Sequence, residues 1–263
     1  MTQVHGFDSR FWDGKLSQEL LDWWEFVGIK ISEGTSFVPR ETPNQWYKAK
    51  AHGLLRLPFH YWRTSYWWED PTEHGKNQAQ FMYDTITTHF DGEYGELPPV
   101  LDIEDTKAPA GDRTIKSIKA CLLELERLFG RKPMIYTAGW WFDPRIKNSF
   151  SPEKYGGWDI YSYDLWEADP PPDTACGEWT ESAIVQYKLD ASINGINAGV
   201  DFNETTQEWI DKVTILEEPQ TDCEDCMIYE KEIERLLKEM KEHVERLKVV
   251  ETKIQEIRDI LSS

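Results

Sequence analysis

The first 213 residues alternate between short apolar runs and stretches of helical periodicity, whereas residues 227–261 carry one uninterrupted helical pattern without Pro or Gly. Eight apolar runs read as strands: residues 4–8, 26–32, 55–62, 99–104, 133–138, 159–166, 183–189 and 199–203. Helical patterns fall between the early runs. Thr42 and Pro43 fit an N-cap and first helical position with Gly53 as the stop, and residues 112–129 end at Gly130. Strand–helix alternation predicts a mostly parallel sheet, and eight strands are the number of a closed barrel.

The later strands break the alternation. Residues 167–181 are Pro-rich without helical period, and Asn194-Gly195 is a hairpin signal between the seventh and eighth runs. The fold class is therefore α/β: an irregular TIM-like (β/α) barrel with about five βα units, then three strands with few helices, then a long C-terminal α-helix. The domains divide as 1–213 for the barrel, 214–226 for an acidic, Cys-containing linker and 227–263 for the amphipathic helix.

Composition narrows the partners. A net charge of −19 argues against nucleic acid, whose binding rests on Lys and Arg that neutralise phosphate. No run of 18 apolar residues exists, so no membrane insertion is expected, and the N-terminus MTQVHGFDSR lacks the basic and apolar regions of a signal peptide. The expectation is synthesis in the cytoplasm, with some other device carrying or releasing the protein if its substrate lies outside. Cys121, Cys176, Cys223 and Cys226 make no disulfide scaffold for a chain this long and read mostly as free thiols. The Cys223/Cys226 C-x-x-C pair lacks two further zinc ligands nearby, leaving a solvated junction or an interchain disulfide. The 13 Trp, 11 Tyr and 11 Phe include the tandems Trp67-Trp68 and Trp140-Trp141, beyond what a core alone requires. Flat rings with polar edges suit sugars.

Asp102-Ile103-Glu104 follows the apolar run Leu97-Pro98-Pro99-Val100-Leu101, which places both carboxylates at a strand's C-terminal end and, by period-two alternation, on one side. In a parallel barrel that end is the active mouth. Glycoside hydrolysis needs one carboxylic acid to protonate the leaving oxygen and a second group to support the oxocarbenium-like centre. Mutual repulsion, which raises one pKa of such a pair, suits that division of labour. A D-x-E triplet alone is weak evidence, but Asp8, Glu33 and Asp201 also fall on or at the ends of strand runs. The rival chemistry for such a cluster is a Mg²⁺ or Ca²⁺ site.

These residues, in order, resemble the family 25 glycoside hydrolases, the Chalaropsis-type and phage-encoded muramidases. The resemblance runs through residues 4–213: Gly6-Phe7-Asp8, Gly28 to Gly34, Pro58-Phe59-His60-Tyr61, Pro98 to Glu104, Pro133 to Thr137, Leu165-Trp166, Gln186-Tyr187 and Val200 to Asn203. It implies hydrolysis of the β-1,4 bond between N-acetylmuramic acid and N-acetylglucosamine in peptidoglycan, without metal or organic cofactor. It implies that Glu104 is the general acid/base and that Asp102 orients the substrate's acetamido group or stabilises charge on it. Asp8 and Asp201 would line the same cleft, Tyr61 and Tyr136 would be hydrogen-bonding neighbours, and Trp140 or Trp166 sugar platforms. Glu33 either touches substrate or pairs with Lys30, a pairing that an i, i+3 spacing on a regular strand opposes. Gln186 either contacts sugar or satisfies buried backbone, and His60, on an apolar strand, reads as a core histidine. The chain departs from the family pattern after Trp166, at Glu167-Ala168-Asp169-Pro170-Pro171-Pro172, a loop expected to border the cleft.

Residues 227–261 carry a heptad stripe with Ile233, Met240, Leu247, Ile254 and Leu261 at one core position and His243 interrupting the other. As a helix of about 1.5 Å per residue this is a rod of roughly 50 Å. Leu237 and Val244 widen the stripe towards three or more helices, although a dimer or packing back on the barrel stays open. The expected partners are peptidoglycan glycan strands and, through residues 227–261, a homo-oligomer or assembly partner. A phage endolysin or virion-associated lysin fits these features; the alternative is a carbohydrate-binding or structural tail protein that keeps the barrel without turnover.

Overall fold

The computed structural model describes residues 2–9, 24–64, 70–168, 175–191 and 200–215. The Trp67-Trp68 pair, residues 169–172 of the loop expected after Trp166, Asn194-Gly195, the Cys223/Cys226 pair and the helix expected over 227–261 lie outside the described residues.

Eight strands close a barrel in chain order: β1 (Gln3–Ser9), β2 (Phe26–Glu33), β3 (Leu55–Tyr61), β4 (Val100–Asp102), β5 (Met134–Thr137), β6 (Leu165–Ala168), β7 (Ile184–Ala191) and β8 (Val200–Thr206). β1 to β7 pair in parallel, while β8 runs antiparallel to both β7 and β1. That reversal brings Asp201, at the start of β8, level with Asp8, near the end of β1.

Helices α1 (Thr42–Ala51), α2 (Pro71–His89), α3 (Asp112–Phe129) and α4 (Gly139–Arg145) follow β2 to β5, and α5 (Gln207–Val213) follows β8. Among the described residues no α-helix lies between β6 and β8, as the Pro-rich composition there requires. Two expectations need correction. Residues 159–164 are not strand, because Asp159 accepts the Tyr161 N–H and starts a 3₁₀ turn at Ile160–Ser162, so β6 begins only at Leu165. Thr42 does not cap α1 either: its hydroxyl donates to the Lys30 carbonyl 2.8 Å away and ties the helix start to β2. Gly130 does end α3, in the left-handed conformation at φ 65° that favours glycine.

Alternation along each strand sorts the core into two layers. Phe7, Val27, Ile29, Ile31, Leu101 and Ile135 pack outward with the helices. Val4, Phe26, Leu57, Val100, Met134 and Ile184 point inward and plug the lower barrel, with Phe59 and Trp166 above them. Gly28 makes room for this upper layer, since a Cβ there would lie 2.7 Å from the Trp166 ring and 2.9 Å from Asp8. Polar side chains therefore sit on a dry apolar floor, which raises the cost of their ionisation.

Candidate active site

Above the Phe59 and Trp166 layer the mouth opens into a cavity of about 670 Å³. All ten residues expected at the site line it: Asp8, Glu33, Tyr61, Asp102, Glu104, Tyr136, Trp140, Trp166, Gln186 and Asp201. Among the described residues the same wall holds six carboxylates, Asp190 being the sixth, against the two cations Lys30 and Arg63.

The Asp102 and Glu104 backbone is gripped on both sides. Trp62 N–H donates to the Asp102 carbonyl at 2.9 Å, and Ile103 N–H donates to the Tyr136 carbonyl at 2.9 Å. The Asp102 side chain is buried, and among the described residues its Oδ1 has no hydrogen-bond partner. Burial, and then the charge of Glu104, push the Asp102 carboxyl well above the usual carboxylate range. The same fields act on the neighbouring phenols. Burial followed by Asp102 and Glu104 raises Tyr61, and burial followed by Glu104 and Asp102 raises Tyr136, so both keep their protons and remain donors.

A connected network fixes the opposite wall. Tyr136 donates its hydroxyl to Gln186 Oε1 at 2.9 Å, and Gln186 Nε2 donates to Asp8 Oδ2 at 2.6 Å. Asn203 Nδ2 donates to the same Asp8 oxygen at 3.0 Å, while its Oδ1 accepts from Trp166 Nε1 at 2.8 Å. Gln186 thus holds side chains rather than buried backbone. Asp201 Oδ1 accepts the Asp190 N–H at 2.7 Å, and Asp190 adopts φ 48°. Asn203 was not singled out for any role from sequence, although its position two residues after Asp201 puts it on the same inner face.

Glu33 is paired after all. Lys30 Nζ lies 2.5 Å from Glu33 Oε2, and Arg63 Nε donates to Glu33 Oε1 at 2.6 Å. The obstacle of i, i+3 spacing is removed by a bulge: β2 slips register against β3 between Lys30 and Ser32. Burial pushes Glu33 up, but the Lys30 and Arg63 cations outweigh it and hold the carboxyl below its usual range. Both cations also pack on Tyr61, each 4.6 Å from the ring centroid.

The two tryptophans differ. Trp166 is 2 % exposed, edge-on to Phe59 and Tyr136, so it forms floor; Trp140, 60 % exposed on α4, presents a free face at the rim. Phe37 and Leu189 add further exposed apolar surface to the cavity wall. His60 is a core residue, bonded to Ser32 and Gln78, and burial lowers its pKa to about 4. Among the described residues no group of three or more His, Cys, Asp or Glu side chains could hold a metal ion, and Cys121 and Cys176 are free and buried. No helix among them is long and apolar enough to cross a membrane.

Comparison with known proteins agrees with this architecture. The chain is 26 % identical over 212 residues to the uncharacterised protein YegX of Escherichia coli (strain K12), covering 76 % of this chain and 68 % of YegX. Its fold is similar to that of the Clostridium perfringens spore cortex lytic enzyme SleM, with TM-score 0.69 and 21 % identity over 81 % of this chain and 69 % of SleM. It is similar also to the CTP1L endolysin, at TM-score 0.61 and 22 % identity over 81 % of this chain and 69 % of that one. A family 25 glycosyl hydrolase from Bacillus anthracis matches at TM-score 0.61 and 19 % identity over 81 % of this chain and 94 % of its own. The family model for glycosyl hydrolases family 25 matches residues 15–196, more than half the chain and including Asp102 on β4 and Glu104 just after it, and the chain belongs to that family.

Proposed function

We propose that the protein is a muramidase that hydrolyses the β-1,4 bond between N-acetylmuramic acid and N-acetylglucosamine in peptidoglycan. The observation that carries this reading is the Oδ1 of buried Asp102, beside Glu104 in the cleft, which has no hydrogen-bond partner among the described residues. A buried carboxylate oxygen without a donor is costly, and a bound acetamido N–H would satisfy it. Glu104, which is half-buried rather than enclosed, then delivers its proton to the glycosidic oxygen as the bond to C1 breaks. Asp102 orients the acetamido group and offsets the positive charge that gathers there and on the ring. Glu104, now a carboxylate, takes a proton from the water that completes the cleavage. Asp8 and Asp201 add negative potential, Tyr61 is a further hydrogen-bonding group, and Trp140 is the sugar platform.

The assay is release of reducing ends from purified peptidoglycan, with mass spectrometry of the fragments. Fragments ending in N-acetylmuramic acid are expected; fragments ending in N-acetylglucosamine, or no release, would refute the assignment. We extend the reading to an endolysin or virion-associated lysin whose residues 227–261 join catalytic domains or dock to a larger assembly, which would raise effective concentration on a polymer. Its supports are the fold shared with the CTP1L endolysin and the heptad stripe in the sequence. Light scattering tests the tail, a monomeric full chain being the outcome that removes self-association.

A further inference from the structure

A second cavity, of about 530 Å³, adjoins the cleft and shares Glu33, Phe37 and Arg63 with it as a common wall. The wall is held in place. Glu33 and Phe37 exchange backbone hydrogen bonds at 2.9 and 3.2 Å, closing the loop through Gly34 at φ 59°. Gln78, fully buried, accepts the Arg63 N–H at 2.8 Å and donates to the Arg63 carbonyl at 2.9 Å. From this divide the cavity runs off the β2 and β3 ends to the first turns of α2, outside the ring of strands that bounds the cleft.

Its charge is graded. At the divide stands the Arg63 guanidinium, 42 % exposed, its charge shared with Glu33 at 2.6 Å and Asp105 at 3.6 Å. At the far end stand Asp70 and Glu73, with the Asn77 amide beside them. His74 does not offset these carboxylates, because burial and the charge of Arg113 lower its pKa to about 4 and leave it neutral. Glu73 is 62 % exposed and meets Lys76 only at 3.8 Å. Among the described residues the rest of the lining is the Glu33 carboxylate, hydroxyls, amides and backbone, with Phe37 and the His74 imidazole as its aromatic rings.

We propose that this cavity is a binding site for the peptide branch of the wall polymer, an inference that rests on the muramidase reading. A glycan strand extends along its own axis, whereas the peptide leaves the muramic acid sideways through its lactyl group. A side cavity that opens beside the cleft, across the strand ends, has the position of a branch site. The order of charges agrees: such a peptide carries a carboxylate near the sugar and the ammonium of a diamino acid further out, facing Arg63 and then Asp70 and Glu73.

Two measurements test this with the full chain. Wild-type kcat/KM for peptide-bearing glycan should exceed that for the same glycan stripped of peptide by about tenfold, equivalent to ~1.4 kcal/mol. Asn77→Trp, which fills the exposed far end, and Glu73→Lys, which repels an ammonium, should bring that ratio to about one while leaving hydrolysis of stripped glycan unchanged. An undiminished ratio in both variants would overturn the site. The second measurement needs no catalysis: the isolated tripeptide L-Ala-γ-D-Glu-L-Lys, titrated into ¹⁵N-labelled protein, should shift the Asn77 side-chain amide resonances in the wild type and not displace them in Glu73→Lys. No shift at saturating peptide, or a shift produced instead by stripped glycan, overturns the proposal even if the protein cleaves no wall polymer at all. Cleavage of stripped glycan without either peptide effect would leave the muramidase reading standing and remove the branch site alone.

Discussion

The two ends of the barrel handle charge in opposite ways. At the closed end Arg56 is fully buried, but Glu93 and Glu96 meet its guanidinium at 2.9 and 2.7 Å, and its cation lies 4.5 Å from the Trp46 ring centroid. Arg131 there donates to the carbonyls of Glu96 and Val213. At the mouth, among the described residues, six carboxylates share two cations, and Asp102 keeps an oxygen without a donor. Burial and the cations oppose each other at the closed end: burial raises Glu93 and Glu96, but Lys50 and Arg56 beside Glu93, and Arg56 beside Glu96, pull both below the usual range. At the mouth burial and Glu104 act in the same direction on Asp102. One end is built for stability; the other tolerates repulsion that, in the proposed reading, a substrate would relieve. The division is not perfect, since Trp46 Nε1 also lacks a hydrogen-bond partner.

The largest effect should come from breaking the mouth. Glu104→Gln removes the proposed proton donor while keeping its shape, so turnover should fall by at least about 10²- to 10⁴-fold with the melting temperature little changed. Near wild-type hydrolysis of peptidoglycan by this variant would remove Glu104 from the chemistry. Breaking the closed end should do the reverse. Arg56→Met leaves Glu96 without its cation and Glu93 with Lys50 alone, and loss of one partner from a buried ion pair costs about 3–5 kcal/mol. Denaturant unfolding should register that loss while kcat of the folded fraction stays put; a fall in kcat without a fall in stability would contradict the comparison.

Asn203→Leu tests the join between floor and mouth. It strands the Trp166 indole N–H and deprives Asp8 of one donor, a loss of about 1–3 kcal/mol for a buried unsatisfied group. Because Asp8 faces the cleft, KM should rise along with the stability loss. Should unfolding curves of this variant overlay those of the wild type, the Trp166–Asn203–Asp8 chain does not hold the wall. The smallest expected effect is that of excess EDTA: hydrolysis should persist, because the carboxylates are proposed to act on sugar directly. Inhibition reversed by Mg²⁺ or Ca²⁺ would revive the metal reading of the acidic cluster.

Features with a local cause were legible in the sequence. The apolar runs marked all eight strands, the sixth with its start six residues too early, Gly130 marked a helix end, and Asp102-Ile103-Glu104 after a Pro-flanked apolar run marked the mouth. What escaped depended on contacts distant in sequence. The Lys30–Glu33 pair exists because a bulge against β3 overrides the regular spacing. Residues 159–164 look like strand by their aromatic and β-branched content, but the Asp159 cap turns them into 3₁₀. Asn203 gains its importance from Trp166 and Asp8, 37 and 195 residues away. Trp140 and Trp166 are equivalent as letters, and only the closed barrel makes one of them floor and the other rim.

The claim at the centre is that the strain on Asp102 is kept for substrate, and Asp102→Asn measures it directly. Asp102 is raised in the folded protein, so its ionisation costs stability that is fully retained below the unfolded value near 3.8 and lost as pH rises towards the folded value. The Asn variant should therefore melt like the wild type at the acidic end and above it at neutral pH, by about 2–4 °C for each kcal/mol relieved. Peptidoglycan hydrolysis by the same variant should fall to a degree comparable with Glu104→Gln or less. A variant that is less stable than the wild type at neutral pH, or one that gains stability and keeps full activity, would contradict the account.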